Sequence, residues 1–130
     1  MLTFRYTILY VQDVSESLKF YTSAFGFEQL SLHESGDYGE LKTGDAKLAF
    51  GSLKLMNELG KSPSAADADS PCFEIAFETT EVASSLQKAV EAGAMLVQDV
   101  TEMPWGQQVS YVRDINGFLI EICSPIQTQS

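Results

Sequence analysis

A chain of 130 residues, with 18 acidic against 8 basic side chains and a net charge of −10, suits one ordinary domain or two very small modules sharing a core. The acidic balance and the lack of Lys/Arg clusters argue against nucleic acid as a partner, and 45% hydrophobic residues argue against a disordered chain. No apolar run approaches the roughly 20 residues that span a bilayer, and MLTFRYTILYV lacks a signal-peptide layout, so a cytoplasmic protein without a membrane partner is expected.

In chain order, TILYV reads as a buried strand, after which Asp13 opens DVSESLKFYTSAFGF. Val14, Leu18, Tyr21 and Phe25 fall on one helical stripe, Asp13 with Glu16 resembles a capping box, and Gly26 supplies the stop. Strands are expected at EQLSLHE, YGELKTG and AKLAFGS, with turns at Gly36-Asp37 and Gly44-Asp45. SLKLMNELGKSPSAADADSP follows as a linker over 52–71, a short helix and then a loop that could close as a lid. The second half repeats the order. CFEIAFE is a strand, and VASSLQKAVEAG is a helix with Val82, Leu86 and Ala89 as its apolar stripe. AMLVQDV, QVSYVRD and FLIEICS are strands, and Asn116-Gly117 is expected to form a type I′ hairpin turn. Sliding one half onto the other sets Val14 on Val82, Leu18 on Leu86, Asp13 on Glu81, Tyr6 on Glu74 and, in the last strands, Ala49 on Glu121.

The fold class is therefore α+β: two tandem βαβββ modules, 4–51 and 72–124, within a single domain over 1–130. One helix covers one sheet face only, so each module leaves the other face for a partner surface. The expectation is a curved, open mixed sheet around a cleft, with function sought in that cleft. Cys72 and Cys123 have no companion at zinc-site spacing and read as reduced thiols, although a disulfide stays open.

ILYVQDVSESLKFYTSAFGFE at the start and PWGQQVSYVRDINGFLIEI at the end resemble the opening strand-helix and the closing hairpin of the vicinal oxygen chelate superfamily. Its members include glyoxalase I, bleomycin-resistance proteins, extradiol dioxygenases and fosfomycin-resistance enzymes. The resemblance implies the glyoxalase/bleomycin-resistance fold over nearly the whole chain. It also implies four ligand positions in metal-dependent members, here Tyr6, Ala49, Glu74 and Glu121. Only Glu121 matches the commonest pattern, Glu74 is a permitted oxygen donor, Ala49 offers no donor, and a phenol protonated near neutrality is a poor ligand at Tyr6. No metal ligands and no cofactor are assigned; a divalent metal is disfavoured, and an iron dioxygenase would need a two-histidine, one-carboxylate set. His33, the one histidine, reads as a surface residue.

Ligand-binding candidates are Glu121 and Glu74 as a carboxylate pair, and Tyr6, Trp105, Tyr111, Phe50 and Phe73 as an aromatic wall. Arg113 would pair with Asp114 or the hairpin backbone, or touch a ligand. The expected function is a small-molecule-binding protein similar to bleomycin-resistance proteins, holding an organic, cationic or aromatic ligand without a tightly bound metal. The alternative is a glyoxalase-like lyase or isomerase with Glu121 as the catalytic residue, through a divalent metal or as a general base. A third reading is a domain whose partner is another protein. A homodimer is expected, because the sheet edges want cover.

Overall fold

The computed structural model describes residues 1–126. It divides into two compact units, Met1–Ala66 and a second from Asp67 onward, the boundary falling inside the 52–71 linker. The first unit runs β1 (Tyr6–Val11), α1 (Val14–Phe25), β2 (Glu28–Leu32), β3 (Tyr38–Lys42), β4 (Lys47–Ser52) and α2 (Leu53–Glu58). The second runs β5 (Glu74–Glu78), α3 (Val82–Glu91), β6 (Met95–Met103), β7 (Gln107–Arg113) and β8 (Leu119–Cys123). Each is a βαβββ module with one mixed four-stranded sheet, ordered β1-β4-β3-β2 and β5-β8-β7-β6. In each the first strand runs parallel to the last, because the intervening helix carries the chain back across the sheet.

Helix α1 forms as its pattern requires. The Asp13 carboxylate accepts the Glu16 amide, and Gly26 closes the helix at φ 76°, a left-handed conformation glycine adopts without strain. Val14, Leu18 and Tyr21 are buried, while Phe25 is half-buried and meets Tyr21 edge-on at 5.1 Å. Its sheet approaches closely: a Cβ on Gly39 would lie 2.7 Å from Leu18 Cδ1 and 3.0 Å from the Ser31 carbonyl. Leu9, Leu41, Leu48 and Phe50 complete this core, and alternation turns Tyr6, Ile8, Tyr38, Glu40, Lys47 and Ala49 to the other face.

The second module follows the same logic with local differences. Val82, Leu86 and Ala89 are buried along α3, and Ile120, Ile122 and Val112 form the matching sheet face. The equivalence of Asp13 and Glu81 stops at position, since the Glu81 side chain caps nothing. Strand β6 extends to Met103, beyond the expected AMLVQDV, because it pairs with β7 as far as Gln107 and absorbs the extra residues in two bulges.

The Asn116-Gly117 turn is a correction. Gly117 has φ 97°, but Asn116 does not share the positive φ that type I′ requires. The buried Asp114 carboxylate accepts the amides of Asn116 at 2.9 Å and Phe118 at 2.8 Å, which builds a longer loop around that side chain. Among the described residues no helix is long and apolar enough to cross a membrane. Both cysteines are free, Cys72 exposed and Cys123 buried.

Candidate functional site

The site is built on the face of the second sheet that alternation turns away from α3. Glu121 sits there because Ile120 and Ile122 are drawn into the core on either side of it. The pairing then sets Tyr111 directly opposite Glu121 across β7 and β8, and Ala76 opposite it on β5. Glu74 stands one diagonal away, paired with Leu119, and Arg113 pairs with Leu119 from the other side. Two rows of one face thus carry two carboxylates, a phenol and a guanidinium.

Their electrostatics are coupled. Burial pushes the Glu121 carboxyl above its ordinary value and the charge of Glu74 adds to the push, while the Tyr111 hydrogen bond opposes it. The two glutamates lie within hydrogen-bonding reach of each other, so a proton held between them relieves the repulsion. Burial, then the charges of Glu121 and Glu74, push the Tyr111 phenol up to about 12. Tyr111 is therefore a protonated donor at neutral pH, with both carboxylates as its acceptors. Burial also raises the Cys123 thiol, one pair further along β8, which keeps it protonated and unreactive.

The remaining expected residues lie elsewhere. Phe50 is fully buried on the α1 side, with Tyr21 at 4.9 Å, and is core because β4 turns Ala49 rather than Phe50 to the other face. Tyr6 belongs to the first module, where it neighbours Tyr38. Trp105 is half exposed on the β6–β7 turn, and its indole N–H donates to Gln107 Oε1 at 2.7 Å. Gln107 is four residues, roughly 13 Å of strand, from Tyr111. Phe73 is exposed and packs edge-on to Phe118 at 5.9 Å. His33 is exposed and bonds to Ser35.

Sequence reasoning missed the first module's polar cluster. Tyr38 donates to Glu40 Oε2 at 2.9 Å, Lys47 reaches Glu40 at 3.5 Å, and burial with the Glu40 bond pushes the Tyr38 phenol up to about 12. The i, i+2 spacing in YGELK was the available signal, since it sets Tyr38 and Glu40 on one face. A hollow of about 470 Å³ ringed by Thr80, Glu102, Gly106, Gln108, Ser124 and Pro125 includes none of the expected residues.

With this geometry in place, comparison with known proteins decides the family. A model described as a glyoxalase-like domain matches residues 4–127. The chain belongs to the glyoxalase-like domain family. Among solved structures, a glyoxalase-related enzyme from Fulvimarina pelagi is similar at 22% identity, over 96% of this chain and 89% of that one, with TM-score 0.80. A glyoxalase/bleomycin resistance protein/dioxygenase family enzyme from Burkholderia phytofirmans PsJN is similar at 19% identity, over 94% and 97%, with TM-score 0.80. TioX from Micromonospora sp. ML1 is similar at 21% identity, over 95% and 98%, with TM-score 0.73. At these identities the likeness is one of fold. No curated protein matches the sequence.

The glyoxalase-like fold implies a metal position, and the donors here do not fit one. Ala49 has no donor atom, and Tyr111, its phenol pushed up to about 12, donates its proton rather than a lone pair, which leaves Glu74 and Glu121 as the oxygen donors of this face. Among the described residues no three His, Cys, Asp or Glu side chains gather as a metal-binding group. A divalent ion held by two carboxylates falls short of the three or four protein ligands of a well-held catalytic site.

Proposed function

We propose that this glyoxalase-like protein binds a small organic molecule bearing an ammonium or another hydrogen-bond-donating group, without a tightly bound metal. The observation that carries the reading is the Glu74–Tyr111–Glu121 cluster, two neighbouring carboxylates beside a phenol on one sheet face. A cationic group entering there offsets the charge of Glu74 that raises the Glu121 carboxyl, and so favours the ionised form of Glu121. The net charge of −10 draws cations toward the surface. The test is a thermal-shift screen of aromatic ammonium compounds followed by calorimetric titration. At least one compound should stabilise the protein, and Glu121→Gln and Glu74→Gln should each weaken it about tenfold, the size of a lost charge-assisted hydrogen bond. A silent screen, or binding untouched by both variants, overturns the reading.

One observation favours a second reading. A carboxyl raised by burial beside a second carboxylate is suited to general-base work, which supports a glyoxalase-like lyase or isomerase acting through Glu121. Turnover in chelator-treated protein, abolished by Glu121→Gln, would establish it. We also place the protein in the cytoplasm as a homodimer; Met95, Leu96 and Val97, exposed on the edge strand β6, support the pairing, which sedimentation would test.

A further inference from the structure

Arg113 holds an atom that the second module leaves unsatisfied. Its Nη1 is buried and has no hydrogen-bond partner, the one such side-chain atom among the described residues. The neighbouring carboxylate of Asp114 is turned to the loop amides of Asn116 and Phe118. The orphan also sits on the candidate face, two residues along β7 from Tyr111 and in one row with Leu119 and Glu74. A charged donor left without an acceptor in a folded protein is costly and points to a missing partner.

We propose that the ligand of this site is a zwitterion, with its cationic end on Glu74 and Glu121 and a carboxylate on Arg113. The proposal rests on the binding reading above and adds the anionic end. The face carries two carboxylates at one end and a guanidinium at the other, so it offers acceptors to a cation and a donor fork to an anion. Arg113 and Glu74 are separated by two strand spacings, about 10 Å between backbones, so the two charges of the ligand sit at opposite ends of a ring-sized body rather than on adjacent atoms. A planar guanidinium recognises a carboxylate through two parallel N–H bonds, which a lysine in the same place would not supply.

The probe is 4-(aminomethyl)benzoate, compared with benzylamine, which lacks the carboxylate, and 4-methylbenzoate, which lacks the ammonium. Titrations followed by calorimetry or amide chemical shifts should show the zwitterion binding at least tenfold more tightly than either control. Arg113→Gln should remove the zwitterion's advantage, so that it binds the variant no more tightly than benzylamine does, and Arg113→Lys should recover only part of the difference. Thermal melts of both variants establish that they fold. If benzylamine binds as tightly as the zwitterion and Arg113→Gln changes neither, Nη1 is satisfied by water alone; the zwitterion proposal falls and the binding site stands. If the zwitterion does not bind, the proposal falls, and a silent ammonium screen brings down the binding reading with it.

Discussion

Glu121 is a carboxylate in a strand whose neighbours are both core, and its ionisation opposes folding. Burial and the charge of Glu74 raise its folded-state pKa above its unfolded value. The folded state therefore holds the proton more tightly, so the stabilisation is fully present below the unfolded carboxylate range and is lost as pH rises through the raised value. Glu121→Gln should raise the melting temperature by a degree or two at pH 7 and leave it unchanged at pH 4. Solvent screening at a partly exposed site keeps the gain below about 1 kcal/mol. A melting temperature that falls at pH 7 would show that the Tyr111 hydrogen bond outweighs the repulsion. Glu121 and Glu74 were singled out from sequence because the family resemblance puts ligand positions there. Their partner in the cluster, Tyr111, was legible only as an aromatic, since its role as a donor depends on the β7–β8 register.

The elements were readable where one short segment satisfies itself. Asp13, the apolar stripe and Gly26 specify α1 within a few turns, and the structure agrees. The closing loop was not readable, because Asn-Gly signals a type I′ turn only when no nearby group competes for its amides. Asp114 is such a competitor and is itself buried. Asp114→Ala should strip two amides of their acceptor and cost about 1–3 kcal/mol, read from chemical denaturation. Gly39→Ala should cost a similar amount, about 1–3 kcal/mol, because the added methyl meets a backbone carbonyl as well as Leu18. Phe50 shows the same limit: alternation gives two faces to a strand without saying which is buried when Ala49 is also fully covered.

At the scale of the whole molecule, two modules of one topology carry different polar clusters. The first sets Glu40 against Tyr38 and Lys47, a carboxylate satisfied by its own neighbours. The second sets Glu74 against Glu121, two like charges that need something between them. The two modules thus share a sheet topology and differ in how their carboxylates are balanced. Protein purified without chelator should carry transition metal well below one equivalent and melt at the same temperature with and without a chelator, checked by elemental analysis and calorimetry. A stoichiometric metal lost on Glu121→Gln would overturn the proposal of binding without a tightly bound metal.

The amino-acid sequence alone determined the βαβββ repeat, the helix ends and the position of Glu121, because periodicity, capping and glycine conformation act over a few residues. Only the tertiary structure decided that Tyr111 joins the two glutamates, that Phe50 is core and that Arg113 has a buried nitrogen without an acceptor. Those outcomes depend on strand register and on which groups compete for each proton, and both are set by residues distant in the chain.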